Sequence, residues 1–540
     1  MISEDTVDQK TADQIPPKPW ATIPRWWIVL VLVVLSLALV ASFFDQATSR
    51  LVLVLSIVLS ILLLLLRNLM RPATSLAFRA LPLLVFIGLL CGAGFAVRVD
   101  EMDGNLIPRR WSWRWEPAPD RLVAKLAPAK AASGVDLSVT AENDFAQYLG
   151  ADRNGFVNVD LSSNWEATPP ELVWKKEEFG AGHSGFVAVN GFAVTLEQRG
   201  AEELVTCYEI ETGDLAWSHS ETTRHETVPG GVGPRSTPAI HNGRVYTMGA
   251  TGILLCLDGS NGDVVWRRDL LEEIETTQEA EVNTVQWGRA ASPLIDQGRV
   301  IVPLGIRNAG AADEKGASLI AFDAETGEEH WRQGKHQISY ASPLVATLQG
   351  VRQILFVCES EVCGFDAETG EQLWEYPWPG NSAANASCSQ PVVLDDQRFV
   401  VSKAYAHGAA LVSVRNEGGK WTAEKVWHKR VMKTKFTNAL VHDGHIYGLD
   451  DSILACVEIE TGKRKWKRGR YGHGQVLKAG SQLLVQTESG DVTLVELNPE
   501  SFVELARFSP IEGRTWNSPC LFGKTLLVRN GQQAACYRLP

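Results

Sequence analysis

Basic, amide and aromatic residues recur in this chain at one kind of position, shortly before a short apolar segment. They are His183, Arg235, Trp287, Arg289, Tyr340, Asn385, Lys435, His473 and Trp516. A guanidinium group offers paired donors to a carboxylate or phosphate, and an aromatic ring can stack on the apolar face of a sugar. If the fold brings these positions together, they predict a binding site for an anionic or sugar-like ligand. The alternative is that these polar groups only hydrate an internal channel and hold neighbouring elements together.

Two motifs that look like cofactor or metal sites are better explained by strands and turns. The Gly-x-Gly-x-x-Gly pattern at residues 180–185 would need a following helix to bind a dinucleotide. A strand and the turn residues Asn190 and Gly191 follow it instead. His442 and His445 flank an Asp-Gly hairpin turn, with no Cys or carboxylate cluster nearby in the sequence. Serine-nucleophile and zinc-protease motifs are also missing, so the sequence predicts no catalytic residue and no metal site.

A repeated phrase, Glu-Thr-Gly followed four residues later by Trp, indicates the elements that would position these residues. Together with a variant at Asn261-Gly262 and Trp266, it marks a self-similarity with a period of roughly 40–50 residues, which is typical of a repeat architecture. Within residues 236–266, hydrophobic alternation and turn residues predict four short strands. Such a sheet cannot bury both of its faces alone, so these sheets stack radially around an axis as propeller blades. Anchors between the blades are expected at Trp174, Trp217, Trp266, Trp331, Trp374, Trp427 and Trp466, with Phe508 as a weaker equivalent.

The two ends of the repeat region complement each other. The strand around Trp174 precedes any first strand, whereas residues 516–539 supply three strands and no fourth. If both ends join in one blade, the ring closes and no sheet edge stays open. The sequence therefore predicts eight blades, and seven is the alternative if one anchor is miscounted. Because the first strand of each blade lines the axis, the residues just before the first strands should converge at one mouth of the channel.

The run Cys-x-Asp/Glu-x-Glu-Thr-Gly-x-x-x-Trp, with Ser-Pro or Thr-Pro at the first strand, resembles the pyrroloquinoline quinone (PQQ)-type propeller repeat. The resemblance extends from about Asp144 to the C terminus. It implies an all-β, eight-bladed PQQ-like β-propeller, in a family that includes quinoprotein dehydrogenases and non-enzymatic, BamB-like assembly factors. The motif docks blades together in both kinds of member, so it implies the fold rather than the function.

Quinoprotein alcohol dehydrogenases of that family carry an adjacent Cys-Cys pair and a Glu, Asn and Asp set that binds calcium beside the quinone. This chain has no adjacent cysteines, and no such triplet aligns with it. We therefore expect a non-catalytic binding or assembly module without a cofactor. The alternative is a membrane-bound alcohol or sugar dehydrogenase that uses PQQ and calcium.

Three apolar stretches precede the propeller, and each is close to the roughly 20 residues that span a hydrocarbon core. They are residues 27–44, 51–66 and 81–97. The distribution of Lys and Arg places the N terminus inside the cell and the propeller outside the cytoplasm. The expected organisation is a cytoplasmic tail at 1–25, three transmembrane helices in 26–98, a juxtamembrane segment and linker at 99–142, and the propeller at 143–540. This predicts a multi-pass protein of the bacterial cytoplasmic (inner) membrane with an envelope protein or an anionic or sugar-like ligand as partner.

Charge and cysteine placement narrow the function classes further. A net charge of -12 with no basic run in the propeller argues against nucleic-acid binding. Four of the nine cysteines occupy one repeat position that requires a small apolar side chain: Cys207, Cys256, Cys456 and Cys536. Equivalent positions in separate blades are too far apart for disulfides. Cys358 and Cys363 remain a possible local pair.

Overall fold

The computed structural model describes residues 46–69, 75–102, 107–126, 134–227, 230–306, 315–382 and 385–540. These residues divide into two compact units. One extends to Arg98 and includes Ile107–Trp115, and the other consists of Val99–Leu106 and Glu116–Pro540. The chain first forms the helices Gln46–Leu69 and Leu76–Ala96, then the strands Val97–Met102 and Pro108–Trp113.

The two long helices coincide with the second and third apolar stretches of the sequence. Both are rich in leucine, which favours the helix. No helix in the described part of the chain is long and apolar enough to cross a membrane. The predicted transmembrane helices are therefore not supported by these residues. The predicted tail at 1–25 and the first predicted span at 27–44 lie outside the described residues.

The second unit contains an eight-bladed β-propeller, as the sequence predicts, and we number its antiparallel sheets blades 1 to 8. From the innermost to the outermost strand, they are Val187–Val189, Phe192–Arg199, Glu202–Glu209 and Leu215–Glu221 (blade 1); Ala239–His241, Arg244–Met248, Ile253–Asp258 and Val264–Asp269 (blade 2); Leu294–Asp296, Arg299–Gly305, Ala317–Asp323 and Glu329–Gln333 (blade 3); Leu344–Leu348, Val351–Val357, Glu361–Asp366 and Gln372–Pro377 (blade 4); Val392–Val393, Arg398–Lys403, Gly408–Glu417 and Lys420–Lys429 (blade 5); Leu440–His442, His445–Asp450, Ile453–Glu458 and Arg464–Arg470 (blade 6); Gln475–Ala479, Gln482–Gln486, Val492–Glu496 and Glu504–Phe508 (blade 7); and Cys520–Phe522, Thr525–Arg529, Ala534–Arg538 and Glu171–Lys176 (blade 8).

Short elements lie before and between the blades. The helices are Pro119–Leu122, Leu270–Glu273 and Gln278–Glu281. The strands are Phe156–Val157, Glu226–Thr227 and Gly231–Val232. The first and second strands of most blades are joined by two-residue turns. Asn242 and Gly243 both have positive φ, at 48° and 73°, as a type I′ hairpin turn requires.

The ring closes as the sequence predicts. The strand Glu171–Lys176, from before blade 1, pairs with the third strand of blade 8, and Trp174 lies opposite Cys536. In blade 7 the residue at the equivalent position is Ala506, opposite Leu494. Phe508, which the sequence analysis assigned to that position, lies two residues further along the strand. There its ring packs edge-on against Trp165, at 5.3 Å between ring centroids.

Most of the repeated tryptophans dock on the turn of the next blade. The Trp217 side chain of blade 1 donates from Nε1 to the Gly259 carbonyl of blade 2 at 2.9 Å. Its ring also covers Gly262, where a Cβ atom would lie 2.6 Å from the indole. The same donation to a carbonyl of the following blade is made by Trp174, Trp266, Trp427 and Trp466. The glycine of the repeated turn is therefore required by its positive φ and by the ring that lies on it.

Two tryptophans depart from this pattern. Trp374 donates to Gln353 of its own blade and stacks on Phe399 of blade 5. Trp331 Nε1 has no acceptor among the described residues. The small residue opposite each anchor is often a cysteine, as Cys207 is to Trp217. None of the nine cysteines forms a disulfide, and this includes Cys358 and Cys363.

The N-terminal strap, residues 144–157, crosses one end of the channel. Phe145 exchanges two backbone hydrogen bonds with Ala188 of blade 1, and Phe156–Val157 pairs in parallel with the innermost strand of blade 7. Arg153 donates to the Ser292 and Pro293 carbonyls of blade 3. The strap lies where the innermost strands end, so the residues before those strands form the opposite mouth of the channel.

Candidate functional site

Three of the predicted mouth positions, His183, His473 and Trp516, form a chain of ring contacts with Phe436 across blades 6, 7, 8 and 1. The centroids of the His183 and Trp516 rings lie 5.1 Å apart, and Trp516 lies 4.7 Å from Phe436. Phe436 in turn contacts His473 edge-on at 5.8 Å. The Arg514 guanidinium covers the Trp516 ring at 4.4 Å from its centroid. Connections between successive blades therefore build one aromatic and cationic surface.

Lys435 extends this surface toward blade 5. Its Nζ atom lies 5.3 Å from the centroid of Tyr405 and 5.6 Å from that of Phe436. Both distances are within the range in which an aromatic ring attracts a cation. Lys435 thus contributes positive charge next to the ring surface rather than inside a strand.

Arg235, Trp287 and Tyr340 form a second group. Trp287 and Tyr340 pack with their centroids 5.2 Å apart, and the Tyr340 hydroxyl donates to the Ser382 carbonyl at 2.8 Å. Arg235 donates to the Gly230 and Gly231 carbonyls, each at 3.0 Å. Burial lowers the pKa of Arg235 to about 10, so it keeps its charge at neutral pH.

Two histidines at the mouth, His183 and His225, do not supply charge at neutral pH. Burial, together with the nearby Arg514 and Arg235, holds the pKa of His183 well below its ordinary value. Burial lowers the pKa of His225 to about 3. Neither His183 nor His225 therefore adds to the positive charge that arginine and lysine place at this mouth.

Two of the predicted residues are held within the scaffold. Arg289 is buried and donates to the Pro303 and Leu304 carbonyls at 3.0 and 2.8 Å, and it pairs with Glu281 at 2.8 Å. Asn385 exchanges backbone hydrogen bonds with Asn381. These contacts make Arg289 a structural link and leave it little capacity for a ligand.

Sequence reasoning missed Lys403 and the ring surfaces beside it. Lys403 ends the second strand of blade 5, is fully buried, and has its Nζ 5.5 Å from the centroid of Trp378. Burial lowers its pKa to about 8. A lysine inside the apolar run of residues 398–403 is the sequence signal that could have identified it.

The carboxylates at this end are separated from one another. Glu488 of blade 7 accepts hydrogen bonds from Trp516 Nε1 and the His473 backbone at 2.8 and 3.0 Å. Glu203 of blade 1 accepts from the Ala250 backbone at 3.3 Å. Among the described residues, no three or more His, Cys, Asp or Glu side chains are grouped so that they could hold a metal ion. The polar groups of this mouth are therefore separate carboxylates together with arginine and lysine side chains beside aromatic rings.

Comparisons with known proteins find similarity to both kinds of PQQ-type propeller. Residues 201–468 match the family described as "Outer membrane protein assembly factor BamB". The BamB of Kangiella koreensis is 27% identical over 28% of this chain and 32% of its own length. A quinone alcohol dehydrogenase subunit from Komagataeibacter europaeus is 29% identical over 24% of this chain and 17% of its own length. The matched region thus spans a third or less of either relative.

Solved structures show the same fold. The quinohemoprotein alcohol dehydrogenase of Comamonas testosteroni aligns with a TM-score of 0.54 at 14% identity, over 74% of this chain and 82% of its own. The quinohemoprotein alcohol dehydrogenase of Pseudomonas putida HK5 aligns with a TM-score of 0.53 at 12% identity, over 75% and 83% of the two chains. This chain therefore has the fold of a PQQ-type β-propeller, and its sequence is similar to those of BamB and of quinone alcohol dehydrogenases.

Proposed function

We propose that this chain is a non-catalytic binding or assembly module of a bacterial envelope, whose propeller binds an anionic or sugar-like group at the channel mouth. The observation that carries the proposal is the convergence of Lys435 and Arg514 with Phe436 and Trp516 at one end of the axis. Arg514 also donates to the Met102 carbonyl at 2.7 Å and lies 3.6 Å from the Glu101 carboxylate, so an anion would share Arg514 with these groups. Cations beside aromatic rings can bind a carboxylate or phosphate and the apolar face of a sugar at once. Like charges around one opening repel each other, and a bound anion relieves that repulsion.

The envelope location is part of the same proposal. A relative is named as an outer membrane protein assembly factor, which supports an extracytoplasmic propeller. We propose that the N-terminal region anchors the chain in the cytoplasmic membrane as a multi-pass segment. Apolar side chains exposed on the helices support this, among them Leu84 at 63% and Leu89 at 67%, because contiguous apolar surface of this kind marks an interaction with membrane or protein.

The alternative of a PQQ-dependent dehydrogenase is less well supported by the side chains that would have to hold the quinone and calcium. Both oxygens of Glu488 already accept hydrogen bonds from the mouth itself, and the described carboxylates form no group that could hold a metal ion. These residues do not fit a quinone and calcium pair. We therefore derive no redox step.

The proposal is tested by measuring anion binding to the full chain. We expect galacturonate, citrate or phosphate to raise the melting temperature and to give saturable heats in calorimetry, while neutral galactose does neither. Lys435→Gln and Arg514→Gln should each weaken binding at least tenfold, because each removes a cation that lies on a ring. The anion affinity of the native chain should fall at high salt, because salt screens exposed charges.

Arg430→Gln is the control, since Arg430 is exposed and lies in the same connection as Lys435. Anion affinity unchanged in both mouth variants, or no saturable response to any of these ligands, would contradict the proposal. A second arm tests the alternative: protein incubated with PQQ and calcium should show no dye-linked oxidation of alcohols or sugars. Turnover in that assay would favour the dehydrogenase.

A further inference from the structure

A cavity of about 380 Å³ lies at the end of the channel that the strap crosses. Leu149 and Phe156 of the strap form one side of it. Leu344 and Thr347 of blade 4, Val393 of blade 5 and Val441 of blade 6 line the rest. Its volume is within the range of ligand-binding pockets. Because this cavity is at the opposite end from the cationic mouth, what it binds does not depend on the function proposed above.

The strap shows which backbone groups of the innermost strands can bond to another segment at this end of the channel. In a two-residue hairpin the residues that flank the turn form a hydrogen-bonded pair, so the next residue directs its N–H and C=O groups away from the second strand. Ala188 holds this position in blade 1 and exchanges hydrogen bonds of 2.9 Å in both directions with Phe145. Ile240 in blade 2 and Lys478 in blade 7 also donate their amides to strap carbonyls, each at 2.7 Å. The strap thus bonds to this backbone edge at three blades: it pairs as a strand with blade 7, forms one isolated bridge with blade 1 and makes one hydrogen bond to blade 2.

Blade 4 presents the same edge to the cavity. Its innermost strand, Leu344–Leu348, is followed by a two-residue turn, and Leu348 lies opposite Val351. By the same rule, Thr347 and Val345 direct their backbone groups toward the axis. Both residues line the cavity, and no strand in the described part of the chain pairs with this edge. An unpaired strand edge is a template for strand addition.

We propose that this cavity binds an extended segment of a partner protein, which adds as a strand to the innermost strand of blade 4. The segment's backbone bonds to Val345 and Thr347 and gives affinity, while its alternate side chains give specificity. The walls contributed by Leu344, Val392 and Leu440 select apolar side chains at alternate positions. The strap provides the precedent, since it binds the matching backbone groups of three other blades.

The test uses fluorescent, terminally blocked pentapeptides and the full chain. The pool carries Val, Ile, Leu or Phe at positions 1, 3 and 5, and Thr at positions 2 and 4. We expect saturable binding by anisotropy for at least one peptide. N-methylation of alternate amides of that peptide should weaken it at least tenfold in one of the two registers, because it removes the donors that strand addition requires. Hydrogen exchange should show protection of residues 344–348 on binding.

Chain variants provide an independent comparison. Thr347→Pro removes one edge amide and should weaken binding at least tenfold, whereas Thr347→Val keeps the amide and should not. Ile295→Pro makes the same change at the equivalent position of blade 3, outside the cavity, and should leave binding unchanged. If no peptide in the pool binds saturably up to 1 mM, or if N-methylation in both registers leaves affinity unchanged, the proposal is wrong. The peptide comparison decides the question even if a proline variant fails to fold.

Discussion

At the residue scale, charged side chains are buried at the channel mouth, and Glu203 shows how burial disfavours the charged form of such a group. This glutamate is 6% exposed, and burial raises its pKa to about 7. Arg235 lowers that pKa and Glu221 raises it, but desolvation is the largest cause. The folded protein therefore keeps a proton on Glu203 at pH values where the unfolded chain has lost it.

We predict that Glu203→Gln changes the pH dependence of stability. Between the ordinary pKa of 4.5 and about 7, the folded state binds the proton and the unfolded state does not, so stability of the native chain falls as pH rises through this window. The loss is complete above pH 7 and is on the order of 3 kcal/mol at most. The variant should lack this slope and should be more stable than the native chain at pH 8. Urea unfolding between pH 4 and 8 measures it.

Glu202→Gln serves as the control, because Glu202 is the preceding residue of the same strand and is less buried. The control should keep the native slope. A Glu203→Gln variant with the native slope would show that another group titrates in this window.

At the element scale, the blades are joined by side chains whose contacts differ even where the repeat is the same. Trp217 donates to the Gly259 carbonyl of the next blade, whereas Trp331 Nε1 has no acceptor among the described residues. Both rings are largely buried, at 1% and 7% exposure. Comparing variants of these two tryptophans therefore separates the stability contributed by the hydrogen bond between blades from the stability contributed by ring packing.

We predict that Trp217→Phe lowers the free energy of unfolding by about 1–2 kcal/mol more than Trp331→Phe. Both changes reduce packing in a similar way, but only the first removes a hydrogen bond between blades. Equilibrium urea unfolding of the two variants makes the comparison. Equal losses would mean that ring packing alone joins the blades.

At the scale of the whole molecule, stability depends on closing the ring. The strand Glu171–Lys176 is separated by most of the chain from its partner Ala534–Arg538. Each blade packs only against its neighbours, so a missing blade opens two faces and two edges.

Deletion of residues 521–540 should therefore lower the melting temperature of the whole propeller and broaden the transition in calorimetry. Trp174→Ala should also lower the melting temperature, because the indole's contacts with blade 1 are lost, including the 2.7 Å hydrogen bond to the Ile210 carbonyl. Val426→Ala, at an exposed position of an outermost strand in blade 5, should change it little. A truncated protein that melts like the full chain would contradict closure.

The sequence by itself determined the number and order of the blades. Turn residues and hydrophobic alternation are local signals, and the Glu-Thr-Gly and Trp phrase marks each outer strand wherever it occurs. The unmatched strand at Trp174 predicted closure for the same reason. Phe508 was assigned wrongly because blade 7 lacks the phrase, and only strand register shows that Ala506 occupies the position.

Only the tertiary structure decided what the mouth residues contact. From the sequence, Arg235, Arg289 and Lys435 look equivalent, since each precedes a first strand. In the fold, Arg289 bonds to carbonyls and Glu281, while Lys435 lies on two rings. The N-terminal strap and its cavity were not foreseen either, because they join segments far apart in the chain. Contacts of that kind depend on how the ring brings blades together, and no local pattern records it.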